Sequence, residues 1–387
     1  MNYRVNPKNG DRLSILGFGC MRFAKDEKEV EKQIIYAIEN GVNYFDTAYM
    51  YQNSEAVLGR VLSKGYRDRV KIATKIPPHM VKKYEDLDKI FQTELERLKT
   101  DHIDYYFIHM LTDVNIWDRL VDLGILQWIQ EKKQKGQIIN IGFSYHGGRD
   151  EFIRLVDAYD WEFCMIQYNY LDENNQAGKH GLEYAASKGL PVMIMEPLRG
   201  GKLVTNLPKE VNEVWEQAYI KRSPAEWAFR WIWNHPEVTV VLSGMNSQEM
   251  LEENLRAASD SEANAFTESD FELFKKIRKV LNEKIRIPCT GCNYCMPCPK
   301  GVDIPTCFSC YNDREIEGRF PAFWKYLMQT SMKSQAHNAS LCSKCGKCES
   351  HCPQNIAIRD ELTQVAKKLE GFYYKPVRLL IKRLMKL

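Results

Sequence analysis

The chain has 387 residues, 44% of them hydrophobic and 27% charged, which suits a large core plus a smaller module and excludes a mainly disordered protein. Its 54 Lys and Arg against 51 Asp and Glu leave a net charge of +3, too weak a bias for nucleic acid to be the expected partner. The start MNYRVNPKNGDRLSILGFG has no long apolar run behind basic residues, and no run of about 18 apolar residues follows to span a bilayer, so a cytoplasmic protein without a transmembrane segment is expected.

Asn9-Gly10 predicts a hairpin turn. Eight short apolar runs follow: SILGFG, VNYF, VKIAT, IDYYFIH, IINIGF, FCMIQY, PVMIM and VTVVLSG. Between them lie amphipathic stretches such as EKEVEKQIIYAIENG and YEDLDKIFQTELERL, with apolar spacing near 3.6. No GxGxxG follows the first strand, so the alternation fits an α/β chain folded as a (β/α)8 TIM barrel over residues 1–283 better than an open doubly wound sheet. EANAFTESDFELFKKIRKVLNE reads as its closing helix.

Beyond Pro288 the composition changes to Cys, Pro and Gly, and ten of the 12 cysteines lie between Cys289 and Cys352. In a chain expected to stay in the reducing cytosol, such crowding points to metal binding and away from disulfides. Residues 284–355 therefore read as a mostly helical, ferredoxin-like domain, and residues 356–387 as a basic helical tail.

In a β/α barrel the chemistry sits at the C-terminal ends of the strands. There VNYF runs into Asp46, VKIAT into Lys75 and IDYYFI into His109, and Tyr51 follows Asp46 in DTAYMY. A phenol is a poor acid at neutral pH unless nearby charge stabilises its phenolate. Lys75 is expected to supply that charge, with Asp46 holding the ammonium and His109 donating to a carbonyl oxygen. The set suits carbonyl reduction, the phenol protonating the oxygen while a cofactor delivers hydride.

Through LGFGCMRF, FDTAYMYQNSEAVLG, ATK, LERLKTDHIDYYFIH, GQIINIGFSYH and EPLRGGKL, about the first 260 residues resemble the aldo-keto reductase family. The resemblance implies Asp46, Tyr51, Lys75 and His109 as catalytic residues. It also implies NAD(H) or NADP(H), with Ser144 and Gln167 beside the nicotinamide carboxamide and Glu253 and Asn254 near the adenine. The family's aromatic partner for the nicotinamide ring is Met195 here. Its basic residues for the cofactor's extra phosphate are replaced by Gly244 and Met250. Gly200-Gly201 could admit a phosphate or form an ordinary turn. Cys20 and Cys164 read as small core residues, and His146 as a loop residue.

Cys289, Cys292, Cys295 and Cys298 precede Pro299, and Cys342, Cys345, Cys348 and Cys352 precede Pro353. Each set nearly repeats the ferredoxin run in which three close cysteines hold one 4Fe-4S cluster and the fourth ligates the other. Two clusters are expected, one on Cys289, Cys292, Cys295 and Cys352 and one on Cys342, Cys345, Cys348 and Cys298. Paired C-x-x-C groups also suit zinc, but twice three evenly spaced cysteines plus Cys-Pro fit cubanes better. Cys307 and Cys310 read as buried thiols.

Clusters pass single electrons while a nicotinamide carries a hydride, so a flavin in the barrel or a ferredoxin-type electron partner is a further expectation. The whole resembles the iron-sulfur-fused aldo-keto reductase-like oxidoreductases, acting on a small carbonyl or alcohol. An electron-transfer or redox-responsive binding subunit, whose barrel no longer reduces carbonyls, is the alternative. In the tail, Val377, Leu380, Ile381 and Leu384 fall on one helical face; a basic helix of this kind could lie on an anionic membrane surface or dock an acidic electron carrier, and packing on the protein itself is the preferred expectation.

Overall fold

A computed structural model describes residues 1–205, 207–283, 286–287, 289, 295–331, 336–352 and 356–385. Packing divides the chain into two compact units, Met1–Leu203 with Arg222–Thr267, and Val204–Lys221 with Glu268–Leu387. This division precedes the expected barrel boundary at residue 283. The helix Glu268–Glu283 groups with the second unit, where its Phe274 meets Trp215 edge-on at 5.5 Å.

In the first unit, β1 (Tyr3–Val5) and β2 (Arg12–Ser14) pair antiparallel around the expected Asn9-Gly10 turn. All eight apolar runs then form parallel strands: β3 (Leu16–Gly19), β4 (Tyr44–Asp46), β5 (Lys71–Ile76), β6 (Ile103–Leu111), β7 (Ile138–Tyr145), β8 (Phe163–Gln167), β9 (Val192–Met195) and β10 (Val238–Ser243). They close in the order β10-β3-β4-β5-β6-β7-β8-β9, and helices fill the connections, as the expected (β/α)8 barrel requires.

Strand side chains alternate between the two faces of the sheet, and this period fills the barrel. Tyr44, Ala73, Tyr105, Phe107, Phe163, Met165, Met193, Val240 and Leu242 form one buried cluster with Leu13 from the hairpin. The close approach of neighbouring strands leaves no room for a Cβ at Gly17, which would stand 2.7 Å from the Val240 side chain, or at Gly142, 2.4 Å from the Phe163 carbonyl oxygen. The hairpin end is sealed by polar groups, with Asn6 donating to Tyr105 Oη at 3.1 Å and Tyr105 donating to Asp11 at 2.8 Å.

The second unit is helical among its described residues. Helices Ile304–Glu317, Arg319–Ser331 and Ile358–Leu369 bury Cys307, Phe308, Cys310, Tyr311, Tyr326 and Val365 in one core. Asp303 starts the first of them by accepting from Thr306 N. Cys307 and Cys310 are fully buried thiols, as expected. No described helix is long and apolar enough to cross a membrane.

Candidate functional site

The residue two places beyond each inward-facing core position stands one layer nearer the C-terminal mouth. Tyr44 is thus followed by Asp46, Ala73 by Lys75, Phe107 by His109, Gly142 by Ser144, Met165 by Gln167, Met193 by Met195 and Leu242 by Gly244. Seven expected site residues therefore face inward at the C-terminal ends of their strands, because side chains alternate along each strand.

Lys75 and Asp46 are both buried, and the Lys75 Nζ donates to Asp46 Oδ1 at 2.6 Å and to the Thr47 carbonyl oxygen at 2.6 Å. The ammonium also lies 5.1 Å from the centre of the Tyr51 ring and 5.2 Å from that of Phe107. His109 meets Tyr51 edge-on, with ring centres 6.0 Å apart. The four expected catalytic side chains are thus neighbours.

The loop carrying Tyr51 is tied at several points. Thr47 Oγ1 and Ser54 Oγ share a hydrogen bond of 2.7 Å, Ser54 donates to the Cys20 carbonyl oxygen, and Arg97 donates to that of Tyr49. Behind β5, the outward-facing Thr74 donates to buried Glu55 at 2.6 Å, which also accepts from Arg97 at 3.1 Å. Gly59 lets its helix approach the next, since a Cβ there would stand 2.4 Å from the Arg97 carbonyl oxygen.

Burial disfavours a charged Lys75, but Asp46 and Tyr51 outweigh it and raise the ammonium's pKa above its usual value. The expectation of an unusually acidic phenol needs correction. Burial raises the Tyr51 pKa, and Lys75, acting the other way, does not cancel it. The sequence shows the lysine but not the depth at which both groups sit. Tyr51 is therefore firmly protonated, the state an acid requires. Burial, followed by Lys75, His146 and His79, lowers His109 from 6.5 to about 3, so it is a neutral donor at pH 7.

Ser144 Oγ accepts from Met110 N at 2.8 Å. Gln167 donates to Asp172 at 3.1 Å and accepts from Gln176 at 2.8 Å. Arg199 pairs with Asp172 at 3.2 Å. Asp172, Gln176 and Arg199 were not expected from sequence; only the Gly200-Gly201 that follows Arg199 marks that loop. Gln176, Glu196 and Arg199 all have positive φ, a conformation that non-glycine residues adopt at a cost and that clusters at functional sites.

Gly200 also has positive φ, at 68°, and a Cβ there would meet only Arg22, at 3.8 Å; one at Gly244 would meet only the Gly19 carbonyl oxygen, at 3.9 Å. Both positions leave a ligand room to approach the backbone. Asn254 donates to Ser243 at 3.1 Å and Glu253 accepts from Ser223. Asp46 Oδ2 is buried without a hydrogen-bond partner. Cys20 and Cys164 are buried, as expected, while His146, directly after β7, acts electrostatically on His109.

In the second unit, Cys289, Cys295, Cys298, Cys342, Cys348 and Cys352 pack at the edge of the core, and Cys345 is exposed. Cys292 lies outside the described residues, as do Pro353 and Lys386. Lys344 N donates to Cys342 Sγ at 3.4 Å. The backbone N–H of Lys347 lowers the Cys345 pKa, and Cys298 and Cys342 both act electrostatically on Cys348. N–H groups aimed at sulfur favour thiolates, so this donor set fits iron-sulfur ligation. Among the described residues no three His, Cys, Asp or Glu groups converge on a single ion.

Residues 15–279 match the aldo/keto reductase family. The chain belongs to that family. Residues 288–357 match the 4Fe-4S dicluster domain, so this aldo/keto reductase is an oxidoreductase with an iron-sulfur module. It is 25% identical to "Uncharacterized oxidoreductase YrpG" of Bacillus subtilis, over 73% of this chain and 95% of the relative. It is 26% identical to "Aflatoxin B1 aldehyde reductase member 2" of Rattus norvegicus, over 58% and 73%. Aldo-keto reductase AKR11C1 from Bacillus halodurans in its holo form superposes with a TM-score of 0.61 at 25% identity, covering 72% of this chain and 96% of that one.

Proposed function

We propose that the barrel reduces a small carbonyl compound, or oxidises the corresponding alcohol, with NAD(H) or NADP(H), and exchanges electrons through two 4Fe-4S clusters. The observation that carries this reading is the buried Lys75 ammonium, bonded to Asp46 and Thr47 and set against the Tyr51 ring beside His109.

Tyr51 holds the proton that the developing alkoxide takes up. Its own negative charge then grows near Lys75, which stabilises it, and Asp46 keeps the ammonium oriented. Neutral His109 donates to the carbonyl oxygen. A bound nicotinamide supplies hydride, and Ser144, Gln167, Met195, Gly200, Gly201, Gly244, Glu253 and Asn254 are the residues that would hold it. The exposed Arg22 beside Gly200 offers a phosphate a charge that Gly244 and Met250 lack.

Cys289, Cys292, Cys295 and Cys352 would ligate one cluster and Cys298, Cys342, Cys345 and Cys348 the other. When bound they pass single electrons, for which a flavin in the barrel or a ferredoxin-type partner provides the exchange with two-electron chemistry.

The test is anaerobic purification with iron, sulfide, flavin and nicotinamide analysis, followed by comparison of the parent protein with Tyr51→Phe. Tyr51→Phe should reduce turnover to a small residual rate and retain nicotinamide binding. The engaged amide of Gln167 favours a second reading, in which the barrel is an electron-transfer or binding subunit. A nicotinamide titration without a saturable signal, alongside electron exchange with a ferredoxin, would establish that reading.

A further inference from the structure

The tail Ile358–Leu387 lies beyond both family matches, which end at residues 279 and 357. Its last helix, Tyr374–Met385, packs through a narrower face than its apolar pattern suggests. Tyr374 is buried and Val377 and Ile381 rest on the core, but Leu380, expected on that face, is 59% exposed and Leu379 is 69% exposed. Consecutive residues stand about 100° apart on a helix, so Leu380 sits at the edge of the face set by Tyr374, Val377 and Ile381, and the packing leaves it outside. The side chains of Lys382, Arg383 and Leu384 lie outside those described.

A line of aromatic contacts ties the start of this helix to a neighbouring one. Phe372 is 93% exposed and contacts Tyr373 at 5.4 Å, Tyr373 meets Phe323 at 5.1 Å, and Phe323 leads through Trp324 to Phe320 at 6.1 Å for each step. Phe320 is 68% exposed, and Trp324 and Met328 follow it at intervals of four on one face of Arg319–Ser331. In sequence, the segment from Phe372 to Leu387 carries Lys375, Arg378, Lys382, Arg383 and Lys386 and no acidic residue.

We propose that this face of the second unit docks on an anionic lipid surface. Separate protruding Phe and Leu side chains, flanked by lysines whose stems can lie along apolar surface while their charges reach headgroups, have the composition of an interfacial helix. A protein partner of acidic character would satisfy the lysines, but would also have to supply a pocket for each projecting ring. A bilayer interface receives them all without shape matching. The charge supplies attraction and the apolar side chains supply insertion, so both are needed for stable attachment.

The test uses the full-length protein and vesicles of phosphatidylcholine, with or without phosphatidylserine, in a flotation assay. Binding is expected only with phosphatidylserine and should weaken as salt rises. Lys375→Glu and Lys382→Glu should each weaken it at least about fivefold, and Leu379→Ser with Leu380→Ser should abolish it, each variant keeping the iron-sulfur absorbance of the parent. Absence of flotation with phosphatidylserine, or equal flotation with phosphatidylcholine alone, overturns the proposal. So does capture by an acidic ferredoxin through Lys375 when no vesicle binds.

Discussion

Replacing Lys75 by Met tests how the proposed proton donor works. The ammonium stands 5.1 Å from the centre of the Tyr51 ring, and at an effective dielectric constant of about 20 unit charges so separated interact by about 3 kcal/mol. The phenol is neutral before reaction and gains negative charge only as its proton leaves, so this stabilisation belongs to the transition state and is worth about 200-fold in rate. Lys75→Met should therefore lower kcat for an activated aromatic aldehyde by about that factor, followed by nicotinamide absorbance. Because the lysine acts through the phenol, Tyr51→Phe/Lys75→Met should be no slower than Tyr51→Phe alone. The substitution leaves Asp46 buried without its cation, so circular dichroism must show a folded protein, and Asp46→Asn/Lys75→Met provides a neutral pair as control. A loss below about tenfold, or additive losses in the double variant, would falsify the proposed role.

Two other expectations concern metal content and acid stability. Cys298→Ser and Cys348→Ser should each remove about half the bound iron and sulfide if the two runs share eight ligands, whereas Cys307→Ala should leave both contents unchanged; equal losses in all three variants would refute the assignment. Native His109 titrates at about 3 against an ordinary 6.5, so between those values the unfolded chain binds the extra proton. Its contribution to stability is complete above pH 6.5 and is lost as pH falls toward 3. His235, lowered by burial to about 4, acts in the same direction. Urea midpoints measured from neutral to mildly acidic pH should fall less for His109→Gln than for the parent protein.

All eight barrel strands were legible because each is an apolar run bounded by turn residues. The layer of Asp46, Lys75 and His109 was legible because inward positions recur every second residue. The cysteine spacing likewise marked the iron-sulfur domain, since ligands close in sequence must remain close in space. Sequence alone thus determined the elements, their order and the chemical groups available at the strand ends.

Tertiary structure decided what those groups experience. Burial sets the pKa directions of Tyr51 and His109, and burial depends on neighbours brought from distant strands. Asp172 and Gln176 meet Gln167, and Arg199 meets Asp172, only because the loops after β8 and β9 fold over one barrel end. Residues Val204–Lys221 join the second unit across a gap in sequence, and Leu380 faces outward although its helical period places it near an apolar face. A linear pattern specifies which way a side chain leaves its own strand or helix; only the packed elements around it determine whether it meets water, carbon or charge.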